Sequence, residues 1–177
     1  MKKILTLLSC SALAILAFAE NAAPKPAPAD AAKKDSAAAP MIPASKAQVT
    51  APLALKDDAI SQPAQTELAD GGKAVFTISV PKDGNYVIHA VVNAPSEDAN
   101  SFFLNIDAKP EDPLMIWDID VTTGFEERVV SWRGNGDASS DEFSPKVFKL
   151  TAGEHKVNIV GREPAFLKSI SVRPAKS

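Results

Sequence analysis

The stretch that combines the most chemistry in this 177-residue chain runs from residue 132 to residue 143. It opens with an indole, and guanidinium, amide and carboxylate groups follow on a backbone that contains two glycines. Sugar rings are recognised by such a combination, since an aromatic face covers the apolar side and planar polar groups bind the hydroxyls. The candidate ligand-binding residues here are Trp132, Arg133, Asn135, Asp137 and Phe143. Alternatively, Trp132 caps the core and the rest of the loop is solvated, and the residues leave both interpretations open.

A second candidate lies around residue 117. Asp118 and Asp120 alternate after Trp117, and two carboxylates together with loop carbonyls are ligands that suit a cation. Alternating acids at a strand end are also typical of a solvated edge.

Catalysis finds no support in the sequence. It contains no Gly-x-Ser-x-Gly elbow, no phosphate-binding loop and no His-Glu-x-x-His, and no two acids stand at a spacing that singles out an acid/base pair. The two histidines, His89 and His155, have no second ligand or base nearby in the sequence, and we expect structural roles for both. We therefore predict a protein that is not an enzyme, with no catalytic residues and no metal site.

The elements that must position these groups are strands. Apolar residues alternate with polar ones in short segments separated by Gly, Pro and Asp turns, and no segment after residue 50 shows a helical period. The predicted strands are residues 74–80, 85–93, 101–107, 114–118, 127–132, 147–150, 154–160 and 167–172. This pattern predicts an all-β fold, an antiparallel β-sandwich such as an eight-stranded jelly roll. Asn100 would then lie at one end of the sandwich, so we add it to the candidate ligand-binding residues.

One predicted strand, residues 85–93, is apolar on both faces, which indicates a central strand that is covered on both sides. Tyr86 would be buried there, and its hydroxyl would then need a hydrogen-bond partner.

Residues 1–19 have the sequence features of a secretory signal peptide. Two lysines precede an apolar run that is short for a membrane span, which needs about 20 residues, and an Ala-x-Ala motif ends at Ala19. We expect a secreted or periplasmic protein with no membrane span after cleavage. The alternative is lipoprotein attachment through Cys10, the single cysteine. If cleavage follows Ala19, the mature chain has no thiol and no disulfide.

Composition divides the remaining chain into a linker and a domain. Residues 20–50 are rich in Ala, Pro and Lys and predict a disordered tether, while residues 51–177 can bury the core of one ordinary domain. The formal net charge of −3 is too small and too mixed to indicate a nucleic-acid partner.

Several segments in a fixed order resemble the galactose-binding-like β-sandwich family, to which many bacterial carbohydrate-binding modules belong. The matching segments are residues 80–86, 92–95, 100–107, 117, 148–163 and 167–170. The resemblance implies a jelly-roll scaffold in which Trp117, which matches a frequent tryptophan of the family, packs in the core. It also implies an exported, non-catalytic module that recognises carbohydrate, such as a cell-surface glycan, through a loop at one end or edge. A scaffold does not define a function.

The chain departs from this family at two places. Related modules often hold a structural calcium ion between two acids of the first strand and an aspartate of the last, but here Asp57 and Asp58 follow the first strand and Lys168 replaces the aspartate. A lysine opposes a cation, so we predict no cofactor and disfavour calcium. An asparagine common before the last strand is also replaced, by the sequence Pro-Ala-Phe ending at Phe166. The alternative function is therefore a structural or protein-interaction domain whose sugar site has degenerated.

Overall fold

The computed structural model describes residues 39–112, 114–133 and 143–176. In these residues the chain forms two antiparallel β-sheets. The strands are β1 (Ile42–Pro43), β2 (Gln48–Thr50), β3 (Ala54–Lys56), β4 (Ala59–Ser61), β5 (Lys73–Val80), β6 (Gly84–Asn93), β7 (Ser101–Ile106), β8 (Ile116–Asp118), β9 (Glu126–Val129), β10 (Phe148–Leu150), β11 (Gly153–Gly161) and β12 (Phe166–Pro174). A single turn of 3-10 helix, Ala44–Lys46, follows β1. The predicted all-β, antiparallel sandwich is confirmed.

The seven-stranded sheet is organised around β6 and β12. These two strands pair with each other, β9 and β10 share the other edge of β6, and β1 and β4 share the other edge of β12. Strand β3 completes this sheet through a hairpin with β4. The five-stranded sheet has the order β2-β5-β11-β7-β8.

The core lies between the two sheets and is built from the alternate residues that each strand turns inward. Phe76, Ile88, Phe102 and Ile159 are fully buried there. Trp117 is only 1% exposed and packs 6.2 Å from the ring of Phe102, measured between ring centroids, so its predicted core position is confirmed.

The central position predicted for residues 85–93 is also confirmed, and the buried Tyr86 hydroxyl donates a hydrogen bond to the Lys82 carbonyl at 2.8 Å. The prediction that both faces of this strand are covered holds only in part. On the outer face Val87 is buried, while Val91 is half-buried and borders an open groove.

The boundary predicted at residue 51 must be moved toward the N-terminus. Strand β1 pairs with β12, and strand β2 pairs with β5. Ala44, which lies between β1 and β2 in the sequence, is completely buried. Residues 39–50 therefore belong to the sandwich and not to a linker, because partners distant in sequence supply the pairing. The predicted signal peptide, Cys10 and the rest of the predicted linker lie outside the described residues.

Two further details differ from the predicted strands. Residues 114–118 form a strand only from Ile116 onward, and residues 127–132 end as a strand at Val129. The hairpin of β3 and β4 is absent from the strands predicted by the sequence. Its turn consists of Asp57 and Asp58, whose φ angles of 49° and 62° are left-handed. No helix in the described part of the chain is long and apolar enough to cross a membrane.

A small second cluster of buried apolar residues lies outside the sandwich core, on the outer face of the five-stranded sheet. Phe103, Ile116 and Val160 are at most 4% exposed, and Leu68 packs on them from the loop before β5.

Candidate functional site

Trp132 connects the two sheets at one side of the sandwich. Its indole N–H donates to the Leu104 carbonyl of β7 at 3.0 Å, and its ring meets the Phe148 ring edge-on with centroids 5.6 Å apart. The Lys146 ammonium lies 4.2 Å from the indole centroid. These contacts give Trp132 the structural role of closing the open side of the core, and its use in ligand binding stays a prediction.

Arg133, the next residue, is held by Asp118 at the end of β8. Its Nε and Nη2 donate to the two carboxylate oxygens at 2.8 and 2.7 Å. Asp118 is only 8% exposed, so the guanidinium compensates a nearly buried charge and both carboxylate oxygens are occupied. Within the described residues there is no group of three or more side chains of the metal-binding types.

Phe143 lies over a cleft between the edges of the two sheets, which we call the edge cleft. The cleft measures about 280 Å³, and Phe143 is 52% exposed beside it. Asp118, Asp120 and Ser131 line the cleft, and the buried Ser131 hydroxyl has no hydrogen-bond partner among the described residues. The structure thus brings together Phe143 and the Asp118–Arg133 pair, while Asn135 and Asp137 lie outside the described residues.

Asn100 lies in a buried polar network at one end of the sandwich. Its backbone N–H donates to Glu163 Oε2 at 3.2 Å, and its carbonyl accepts from the Ile119 N–H at 2.9 Å. Glu163, 6% exposed, also accepts hydrogen bonds from Arg162 and from the Ser101 hydroxyl. The backbone of Asn100 therefore belongs to the framework that ties β7 to the loop before β12.

The outer face of the seven-stranded sheet carries a row of side chains that was not among the candidates from the sequence. Phe166 pairs with Asn93 in the ladder, and Phe125 immediately precedes Glu126, which pairs with Val92. Their neighbours Val92 and Leu167 point into the core with no exposure, so alternation turns Asn93, Phe125 and Phe166 outward. We call these three residues the aromatic row. Phe125 and Phe166 are 42% and 36% exposed.

The aromatic row borders a groove of about 540 Å³ on the same face. Its lining includes Met41, Pro43, Val91, Phe125 and Lys168. The Lys168 ammonium is 5.2 Å from the centroid of the Phe125 ring. Asp58, from the β3–β4 turn, lines this groove as well, which places a carboxylate and an ammonium group in one concave surface.

The sequence does contain a signal for the outward direction of the two phenylalanine rings. Phe125 follows a Thr-Gly turn and directly precedes β9, and Phe166 alternates with the core residue Leu167, so alternation could have indicated an outward direction for both rings. What the sequence did not show is that the strands β9, β6 and β12 are neighbours, which puts the two rings in one row.

The two histidines occupy different environments. Burial and the Arg173 charge lower the pKa of His89, so its ring is neutral at neutral pH and its Nδ1–H donates a hydrogen bond to Glu127 Oε1 over 2.9 Å. His155 Nδ1 lies 2.6 Å from Asp107 Oδ2, and its Nε2 lies 2.8 Å from the Thr151 carbonyl. These two hydrogen bonds raise the pKa of His155, because both ring nitrogens face acceptors.

Comparison with known proteins rests on structure alone, since no protein-family model and no curated protein matches the chain. A family 35 carbohydrate-binding module from Clostridium thermocellum superimposes with a TM-score of 0.56 at 12% identity, covering 78% of this chain and 100% of that one. The family 35 module from Paenibacillus barcinonensis gives a TM-score of 0.54 at 10% identity, covering 77% and 99%. The fold is a galactose-binding-like β-sandwich. The resemblance seen in the sequence is thereby confirmed.

The same galactose-binding-like sandwich occurs inside a larger enzyme. The GH26-CBM35 β-(1,4)-mannanase of Podospora anserina matches with a TM-score of 0.56 at 12% identity over 79% of this chain, but this chain spans only 28% of that protein. The galactose-binding-like sandwich thus occurs both as a separate module and as one part of a longer polypeptide.

Proposed function

We propose that this chain is an exported, non-catalytic module that binds carbohydrate, and that the aromatic row is its main contact surface. The observation that carries the proposal is the exposure of Phe125 and Phe166 on one face of the sheet, beside a groove. Large apolar rings are rarely placed together in solvent unless a partner covers them. The neighbouring structures of the same fold, which are named as carbohydrate-binding modules, support this choice of partner.

The row has the chemistry that a saccharide requires. The two rings can cover the C–H faces of pyranose units, and the Asn93 amide between them offers both a donor and an acceptor to hydroxyl groups. Asn93 Oδ1 already accepts a long hydrogen bond from the Thr122 hydroxyl at 3.4 Å, which orients the amide.

Spacing points to a chain of sugars as the ligand. Phe125 and Phe166 flank β6 on opposite sides, and neighbouring strands lie about 4.8 Å apart, so their strands are separated by roughly 10 Å. One monosaccharide is too small to contact two rings at that separation, so we expect an oligosaccharide that lies across the strands.

We also propose that binding needs no calcium. Lys168 lines the groove and its positive charge would repel a cation, while Asp58 is the one carboxylate among the described residues that line it. Binding in the presence of a chelator should therefore equal binding in its absence. A loss of binding with chelator, restored by added calcium, would contradict this part of the proposal.

The proposal is tested by comparing Phe125→Ala, Phe166→Ala and Phe143→Ala in affinity electrophoresis against a panel of soluble polysaccharides, after a glycan array has selected the ligands. Phe143 is the matched control, since it is also an exposed phenylalanine but lies over the edge cleft. We expect each row variant to lose about 5- to 150-fold in affinity, by analogy with aromatic stacking worth about 1–3 kcal/mol. Phe143→Ala should bind like the unmutated chain.

Two other results would redirect the assignment. If Phe143→Ala loses binding and the row variants keep it, the edge cleft with Arg133 is the glycan site. If no glycan on the array binds the unmutated chain, the carbohydrate function is wrong.

A protein-interaction domain is the second candidate, and one observation favours it. All three residues of β3 are exposed, with Leu55 at 44%, and in the described residues this strand pairs on one side only. A partly apolar strand with one unpaired edge can accept a strand from a partner protein. Leu55→Lys should abolish such an association and leave glycan binding unchanged.

A further inference from the structure

A second concave surface lies on the opposite side of the molecule, on the outer face of the five-stranded sheet. We call this surface the sheet-B cleft, where sheet B is the five-stranded sheet. It measures about 500 Å³, within the range of about 300–1,000 Å³ that is usual for small-molecule sites. Its floor is formed by β5 and β11, and its walls by the loops that carry Leu68 and Pro110.

The floor of the sheet-B cleft is apolar where an outer sheet face is normally polar. One half of this face follows the rule, since Thr77, Glu154 and Lys156 are exposed and joined by hydrogen bonds from the Lys156 ammonium. In the other half, Val75 is half-buried and lines the cleft beside the buried Val160. The small apolar cluster with Phe103 accounts for the burial of Val160 but leaves Val75 open to the cleft.

The charges around the cleft have one sign. Lys73 and Lys109 line it and are both exposed, and no carboxylate is found among the described residues of its lining. No ion pair or hydrogen bond involves either ammonium group among the described residues, so both cations are available to a ligand.

The loop that carries Lys109 is held in place by its backbone. The amides of Asn158 and Asn105 donate to the carbonyls of Ala108 and Lys109 at 3.0 and 3.3 Å. Asp107, at the start of the loop, accepts from the Lys156 N–H at 2.8 Å and also contacts His155. A wall that is fixed before binding reduces the ordering cost of holding a ligand.

We propose that the sheet-B cleft is a ligand site for a small organic anion that has an apolar face. The apolar face of the ligand rests on Val75 and the side of Leu68, and its carboxylate lies between the ammonium groups of Lys73 and Lys109. A hydrophobic carboxylic acid and an acidic sugar share this chemistry. The site is independent of the aromatic row, which lies on the other sheet.

The test is a titration of the ¹⁵N-labelled full chain, followed by NMR, with two pairs of probes at equal ionic strength. Phenylacetate is compared with phenylacetamide, and glucuronate with glucose, so that each anion has a neutral counterpart of the same shape. We expect saturating shifts of the amides of Val75, Asn158 and Val160 with at least one anion, and weaker binding of its neutral counterpart. The pair that responds identifies which of the two acids the cleft prefers.

The double variant with Lys73→Gln and Lys109→Gln should bind the responding anion about two- to thirtyfold more weakly, which corresponds to about 0.4–2 kcal/mol for two exposed ion pairs. Lys149→Gln, which removes an exposed lysine from β10 of the other sheet, is the matched control and should change nothing. Equal binding of an anion and its neutral counterpart, an unaffected double variant, or no saturable shift with either anion would each overturn the proposal. Phe125→Ala and Phe166→Ala, the variants of the aromatic row, should leave this titration unchanged. A failure of anion binding in the cleft is therefore distinct from a failure of glycan binding on the row.

Discussion

The structural role of Trp132 leads to a prediction that separates the two interpretations of its loop. In Trp132→Phe the aromatic ring against Phe148 is kept and the indole N–H is removed. Leu104 is completely buried, so its carbonyl would lose its donor from Trp132 in a place that water does not reach. Leaving such a group unsatisfied costs about 1–3 kcal/mol. We expect the free energy of unfolding to fall by that amount.

Trp132→Ala should cost more, because it also removes the ring from the core. Trp132 is partly buried against the core, so we expect a loss toward the lower end of the about 3–5 kcal/mol that deleting a buried aromatic side chain costs, which includes its edge-on contact with Phe148. Since the total stability of a domain is about 5–15 kcal/mol, this variant should still fold at low temperature but with a much lower midpoint.

The assay is urea unfolding followed by circular dichroism, with Phe143→Ala as the control. That residue is 52% exposed, so its removal should change stability by less than about 0.5 kcal/mol. If Trp132→Phe proves as stable as the unmutated chain, the hydrogen bond to Leu104 does not hold the two sheets together and our reasoning is refuted. If Trp132→Phe keeps its stability and loses glycan binding, the indole belongs to the ligand site.

Two other predictions concern the N-terminus and the histidines. A variant that begins at residue 52 lacks β1, β2 and the buried Ala44, so its thermal midpoint should be several degrees below that of a variant that begins at residue 39; equal midpoints would mean that β1 and β2 contribute nothing. The pKa of His155 is raised above 6.5, so its contribution to the free energy of unfolding is complete below about pH 6.5 and is lost as pH rises through the raised pKa. The pKa of His89 is lowered, so its contribution is present above about pH 6.5 and is lost as pH falls through the lowered pKa. The measurement is the free energy of unfolding of the unmutated chain minus that of each variant, His155→Gln and His89→Gln, between about pH 5 and pH 9. This difference should fall with rising pH for His155 and rise with pH for His89. Slopes of the same sign would contradict both assignments.

Much of the fold could be predicted from local pattern. The alternation in residues 74–80, 154–160 and 167–172 corresponds to β5, β11 and β12, because one face of each strand is buried and a period of two follows directly. Long strands with strong turns at both ends carry their own signal. The short strands β1 to β4 carry little, since two or three residues each depend on a distant partner for their pairing.

The candidate site shows the same division. The sequence identified an indole, an arginine and an exposed phenylalanine in residues 132–143, but it could not show that the Trp132 N–H is taken by a carbonyl of the other sheet or that Arg133 is paired with Asp118. A side chain's availability depends on what packs against it, and those contacts come from elements far away in the chain.

The aromatic row depends on tertiary structure even more strongly. The sequence by itself indicated that Phe125 and Phe166 each lie just before a predicted strand, residues 127–132 and 167–172 respectively. Only the order of strands β9, β6 and β12 puts the two rings on either side of Asn93, with a register shift between Leu167 and Ser169 further along β12. Strand order and register are set by burial of the whole core, which no single segment of the sequence encodes.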